Sequence, residues 1–327
     1  MLAYRQSHQL GARLVRFIGD CLARRKAPAG RLCIVNYHRI LEEADPLAAG
    51  ELDASTFAWQ MKSLADCFNV MSLSAALEAM AANRLPPRAV CITFDDGYRS
   101  THDLALPILK KFGLPATVFI TTGFIGEGNM WNDTIREALR SIEGNTLDLS
   151  ERHWGVYEIG TPDQRKNAVV RLTEIAKYLP PQERLSLTRE LEKRAGGQPV
   201  AGLMLTPEMI RVLELNRVEI GGHTVSHPIL TSLNEDAARF EIEECKRRLD
   251  AICLKPVSYF AYPNGKFGID FDARHMALAR DAGFTAAFTT AIGAATAAHD
   301  HYRLPRGLPW DTNRWLFVLR LLRWLAH

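Results

Sequence analysis

Short apolar runs rich in β-branched residues alternate with amphipathic helical patterns along most of this chain, and that alternation restricts the fold more than any single motif. The strands read from it are Leu32–His38, Val70–Leu73, Ala89–Asp95, Ala116–Thr121, Val218–Gly222, Val257–Tyr262, Thr285–Thr290 and Tyr302–Leu304. Helical stretches fall between them over Thr56–Cys67, Ala75–Ala82, Asp103–Phe112, Glu235–Ala251 and Asp272–Ala282. Such alternation calls for βα units around a mainly parallel sheet. Several runs end in residues that carry chemistry: His38, Asp95-Asp96, His223 and Pro263-Asn264. The C-terminal ends of parallel strands are where α/β folds place their sites, and a closed barrel gathers them most completely.

The rhythm breaks from Trp131 to about Asn216, a charged, helix-rich stretch (Asp163–Tyr178, Pro181–Arg194) punctuated by Gly196-Gly197 and Pro199. It reads as an insertion beside the barrel mouth, within a main domain of residues 31–310. Residues 1–30 place Leu10, Leu14, Phe17, Ile18, Cys21 and Leu22 on one helical face. That face suits docking on the domain, with a membrane-surface helix as the alternative. Residues 311–327 form a C-terminal helix whose apolar run is interrupted by Arg320 and Arg323 and is too short to span a bilayer. Lys and Arg total 40 against 37 Asp and Glu, a net charge of +3, so nucleic acid is not indicated as a partner. Six cysteines without a CxxC pair suit a reduced chain. The first residues lack a long apolar core of the secretory kind. The expected location is therefore cytoplasmic, with peripheral contact at the inner membrane face.

Three segments point to chemistry. In CITFDDGYRS (91–100) an apolar strand ends in two carboxylates and a glycine that permits a sharp turn. The bend lets one carboxylate bind a metal while the other stays free, although Asp-Asp-Gly alone is also an ordinary turn. In EIGGHTVSHP (219–228) His223 and His227 follow a strand at a spacing of four, a pair of neutral imidazoles suited to zinc. Adding one Asp gives a His₂Asp set with a coordination position left for water. YFAYPNG (259–265) is a strand followed by a turn, which can be no more than that or can aim an N–H at an oxyanion. His38, at the end of IVNYHRI (34–40), can equally cap its loop.

TFDDGY (93–98), HTVSHP (223–228) and FAYPNG (260–265), in that order, resemble the successive motifs of the polysaccharide deacetylases, the NodB-homology or carbohydrate esterase family 4 group. The resemblance runs from about Arg31 to Pro309 outside most of the insertion. It implies a distorted (β/α)7 barrel and metal-dependent removal of N-acetyl groups from amino sugars. By position, Asp95 resembles the general base, and Asp96, His223 and His227 the ligands of one divalent ion, zinc first, with cobalt or nickel as alternatives. Tyr262 and Asn264 resemble the substrate or oxyanion contacts. Two departures stand out. Many members carry an Arg before the Pro of the third motif, facing the catalytic Asp, where this chain has Ala261. Many also carry a late Leu-x-His whose imidazole protonates the leaving amine, where this chain has Leu304-Pro305-Arg306. The branch that resembles poly-N-acetylglucosamine deacetylases supplies this histidine from a Tyr-His on the first strand, and Tyr37-His38 matches it. His38 is therefore the expected acid, and Arg306 is expected to stabilise charge or bind substrate. Trp131 is a candidate sugar-stacking wall, or a helix start capped by Asn132 or Asp133.

The expected function is an N-deacetylase acting on an N-acetylated amino-sugar glycan or glycolipid in a bacterial surface or exopolysaccharide pathway. Two alternatives remain: a C–N hydrolase of another small or lipid-linked amide, and a non-catalytic glycan-binding protein on the same scaffold.

Overall fold

The structure, a computed structural model, describes residues 30–326 apart from 49, 127, 198–201 and 310. Of the amphipathic segment expected over 1–30, all but the last residue lies outside the described residues. The strands in chain order are β1 (Leu32–Tyr37), β2 (Ile40–Leu41), β3 (Leu52–Asp53), β4 (Asn69–Val70), β5 (Ala89–Phe94), β6 (Ala116–Ile120), β7 (Thr146–Asp148), β8 (Val156–Glu158), β9 (Val218–Gly222), β10 (Tyr259–Ala261), β11 (Ala286–Phe288) and β12 (Ala294–Ala295).

The main sheet runs β11-β10-β9-β6-β5-β1-β12, and β4 joins β5 at its start. All pairings are parallel except β1 with β12. Every residue of β1, β5 and β6 is buried, as expected of strands covered on both faces. The expected strand at Tyr302–Leu304 is replaced by a segment that pairs slightly later. Leu304 bridges Phe288 of β11, and Gly307 bridges Val35 of β1, both in parallel. Backbone bonds from Leu304 N–H to the Ala287 carbonyl (3.0 Å) and from Gly307 N–H to the Ile34 carbonyl (2.9 Å) join the two edges. Residues 304–307 thus close the sheet into a seven-membered parallel barrel and carry Arg306 into the seam.

Other boundaries move for local reasons. The strand expected at Val70–Leu73 stops at Val70, because the Ser72 hydroxyl accepts the Ala75 N–H and caps helix Leu73–Ala81. The helix expected over Asp103–Phe112 opens with a wide π turn at Thr101–Ala105 before Leu106–Phe112. Pro107 has no N–H to return to residue 103, and its ring crowds that carbonyl. Trp131–Ser141 and Pro207–Leu215 are helices that periodicity did not reveal. The insertion has its own core, built from Ile135, Leu139, Tyr157, Leu172, Leu187 and Leu191 among others, and β7 pairs with β8 inside it. Leu205, Ile210 and Leu213 join the barrel core instead, so the separately packed unit ends near Ala195, short of the expected 216. The C-terminal helix Arg314–Ala326 lays Phe317, Val318, Leu321, Leu322 and Trp324 on the barrel. Among the described residues no helix is long and apolar enough to cross a membrane.

Gly221, in β9, marks how tightly the barrel packs two residues before His223. A Cβ there would stand 2.6 Å from the Phe119 ring and 2.8 Å from the Tyr259 carbonyl oxygen. We expect Gly221→Ala to destabilise the fold by about 1–3 kcal/mol through overpacking. Denaturant midpoints of parent and variant check this, and equal midpoints would count against the packing.

Candidate metal centre and catalytic cleft

The ends of β1, β5, β9 and β10 converge on a cleft of about 610 Å³ bordered by His38, Asp95, Asp96, His223, His227 and Asn264. After β5 the chain turns through two left-handed residues, Asp96 (φ 72°) and Gly97 (φ 87°). A Cβ on Gly97 would lie 2.9 Å from Ile120 Cγ2, so the turn needs glycine for space as well as for conformation. Asp95 and Asp96 consequently face different partners. The Asp95 carboxylate meets Arg306, while Asp96 Oδ1 lies 3.6 Å from His223 Nε2 and 3.5 Å from His227 Nε2.

Those two contacts are too long for good hydrogen bonds, and Asp96 Oδ1 is buried with no hydrogen-bond partner among the described residues. Three donors each about 2.0–2.2 Å from a tetrahedral ion stand roughly 3.3–3.6 Å apart, so the spacing fits a shared cation. The His223 ring is oriented by its Nδ1, 2.7 Å from the Ala261 carbonyl, which leaves Nε2 free for an ion. Burial pulls His223 down to about 4, against the opposite pull of Asp95, and pulls His227 well below the usual histidine range, helped by His223 and Arg184. Burial also pushes the Asp96 carboxyl far up, reinforced by Asp95, Asp133 and Glu51. Neutral imidazoles beside a carboxylate that lacks a cation make a donor set suited to a divalent metal.

The loop between the histidines is held by a residue that motif reading missed. Glu241 accepts from Val225 N–H and Ser226 N–H, each at 2.8 Å, and from the Ser226 hydroxyl at 2.6 Å. Its signal was present in the sequence as a carboxylate within the buried stripe Ala238, Glu241, Ile242, Cys245 and Leu249 of helix Glu235–Ile252. The bonds hold a loop in which Thr224 and His227 both have positive φ.

Of the two roles expected of Arg306, charge stabilisation fits its contacts. It is 1% exposed at the cleft floor, with Nη1 2.7 Å from Asp95 Oδ1 and Nη2 2.8 Å from Oδ2. It also donates to the Asn36 Oδ1 (3.3 Å), Thr93 Oγ1 (3.3 Å) and Thr289 carbonyl (3.2 Å) acceptors, so it serves the protein and not a substrate. A guanidinium thus faces Asp95 from residue 306, where the resemblance led one to look at position 261. Asn36, also unforeseen, donates to Asp95 Oδ2 at 2.9 Å. Burial raises the Asp95 carboxyl, but Arg306, His223 and His38 together hold it well below the usual range.

The remaining expectations divide. His38 borders the cleft with Asp95, and burial lowers its pKa despite Asp95. Asn264 (φ 59°) also borders it, and among the described residues no backbone carbonyl accepts its N–H. Gly265 behind it tolerates no Cβ, which would lie 2.8 Å from Thr290 N. Tyr262 does not join the site: its buried ring stacks on Phe271 at 3.7 Å, its hydroxyl donates to the Tyr302 carbonyl, and its N–H to that of Phe288. Trp131 borders the cleft as the first residue of its helix. Neither Asn132 nor Asp133 caps that helix. Met130 occupies the cap position, and buried Asp133 pairs with Arg136 at 3.2 Å.

The polysaccharide deacetylase family profile matches residues 82–287, most of the barrel and the insertion. The chain belongs to the polysaccharide deacetylase family. Over 49 residues it is 49% identical to the poly-beta-1,6-N-acetyl-D-glucosamine N-deacetylase of Staphylococcus aureus, a match covering 15% of this chain and 17% of that relative. Among solved structures, the Streptococcus pyogenes deacetylase PplD in complex with acetate superposes with a TM-score of 0.57 at 20% identity, covering 85% of this chain and 92% of that one. IcaB from Ammonifex degensii gives 0.57 at 18% identity over 91% and 98%. Both show the shared deacetylase fold.

Two outcomes follow for the metal centre. Because the metal competes with a proton on the upshifted Asp96, zinc affinity should fall as pH drops through that raised pKa, well above the value near 4 of His223. Competition with a chelator across pH checks this, and affinity that holds until the pH nears 4 would contradict it. Glu241→Ala should weaken zinc binding about 10–100-fold by releasing the histidine loop, read by the same competition at neutral pH.

Proposed function

We propose that this protein is a metal-dependent N-deacetylase that hydrolyses N-acetyl groups of amino sugars in a bacterial surface or exopolysaccharide pathway. The observation that carries the reading is the pairing of an orphaned ligand set, Asp96, His223 and His227, with an adjacent ionised carboxylate that is held off by Arg306. The family and the named activity of the Staphylococcus aureus relative support the substrate class. Asp96, His223 and His227 would hold a divalent ion, zinc or else cobalt or nickel, which would supply Lewis acidity toward the acetamide carbonyl and a water.

The chain's own residues do the rest. Asp95 is kept anionic by Arg306 and Asn36, and it accepts the proton of the attacking water. A carboxylate so strongly stabilised is a weak base, matched to a water that is already acidified. The Asn264 N–H, unpaired among the described residues, offers a donor to the tetrahedral oxyanion. His38 delivers a proton to the departing nitrogen, so acetate and a free amine leave. The alternative of a non-catalytic glycan-binding protein drew on the Arg missing from position 261 and on the missing late histidine; Arg306 beside Asp95 weighs against the first, and His38 at the cleft against the second.

The test is acetate release from β-1,6-linked N-acetylglucosamine oligomers by the zinc-loaded protein. Asp95→Asn should lower kcat by about 10²–10⁴-fold, and equal rates would remove Asp95 from the chemistry. His38→Ala should lose about as much on the oligomer but far less on an aryl acetate, whose leaving group needs no proton. Equal losses on both substrates would rule out His38 as the acid.

A further inference from the structure

The insertion forms one wall of the catalytic cleft. Helix Pro162–Tyr178 buries Ala168, Val169, Leu172 and Ala176 in the insertion core and borders the cleft with Lys166, Val170, Thr173 and Lys177. At about 100° per residue these four positions fall within roughly 60° of one another, a stripe about 16 Å long from 166 to 177. Neither lysine makes a hydrogen bond or ion pair among the described residues. Lys177 rests only against the Tyr178 ring, at 5.6 Å. Of this helix's acids, Glu174 alone shares the cleft, at the edge of the stripe.

Arg184, on helix Pro181–Arg194, gives a second and independent observation. Its side chain is 6% exposed and lies 5.2 Å over the ring of Trp131, which itself borders the cleft. Its guanidinium donates to no acceptor among the described residues. The Glu241 carboxylate attracts it at a distance, and its charge stands beside the cleft behind the Trp131 ring, where it adds to the attraction for an anionic oxygen. The two guanidinium groups that border the cleft are committed, Arg306 to Asp95, and Arg136 to Glu51 (2.8 Å) and Asp133 (3.2 Å). Among the described residues that border the cleft, Lys166 and Lys177 are therefore the cations left for a ligand, with Arg184 behind Trp131 adding positive charge nearby.

We propose that the insertion selects an N-acetylated glycan that carries an oxyanion, carboxylate or phosphate, near the acetamide to be cleaved, with Lys166 and Lys177 reading the charge and Arg184 reinforcing the field from behind Trp131. The proposal rests on the deacetylase reading above and narrows its substrate class. The test compares kcat/KM of the zinc-loaded full chain on a neutral chitin tetrasaccharide, a hyaluronan tetrasaccharide and N-acetylglucosamine 1-phosphate. The parent should favour one charged compound over the neutral one by about 10-fold or more, and which one identifies the oxyanion. The double variant Lys166→Ala/Lys177→Ala should lower that preference about 10-fold, and high salt should erode it in the parent. Arg184→Gln should act in the same direction. A parent that shows no charge preference, or a double variant that keeps it, overturns the proposal and leaves the deacetylase reading standing. If neither these compounds nor the β-1,6-linked oligomer releases acetate, that reading fails separately, and calorimetric binding of the three compounds decides the inference. Charged binding lost in the double variant upholds it, and equal binding overturns it.

Discussion

The buried pair of Asp95 and Arg306 links the two ends of the barrel chemistry. Both side chains are almost wholly withdrawn from water, at 3% and 0% exposure. An ion pair in that setting adds little net stability, because desolvation offsets attraction, but removing either partner costs about 3–5 kcal/mol. Its consequence is positional. The pair ties the end of β5 to the segment that closes the barrel, and it turns one of two adjacent carboxylates away from the histidines. Asp96 is left alone with His223 and His227, so a single sharp turn yields a free base and a ligand side by side.

The histidine loop shows a similar division of labour. Strand β9 delivers His223, a peptide carbonyl on the neighbouring β10 fixes its ring, and Glu241 gathers the N–H groups of the loop that reaches His227. None of these supporting groups touches a reacting atom. They set the geometry in which a cation relieves a buried carboxylate, and the burial that lowers the histidine pKa values keeps both rings neutral for that purpose.

Much of this was legible in the sequence because it is local. The strand ends, the Asp-Asp-Gly turn and the His-x-x-x-His spacing each lie within ten residues, and the cleft gathers them. Charge stabilisation by Arg306 was foreseen but its partner was not, since Asp95 is 211 positions away and the contact exists only once residues 304–307 close the barrel. Tyr262 belongs to its motif by sequence, but its side chain leaves the strand toward Phe271 and not toward the cleft. The helix start at Trp131 was weighed, but with the wrong cap, because Met130 holds the cap position and no side chain caps the helix. The insertion appeared as a composition change, while its lysine stripe gained meaning only when the helix was seen to border the catalytic residues.

Anomalous diffraction from zinc-soaked crystals tests the central division between the two aspartates most directly. One zinc peak touching Asp96, His223 and His227 is expected, with the Asp95 carboxylate still paired to Arg306. A peak ligated by Asp95, or no peak at these three residues, would contradict it.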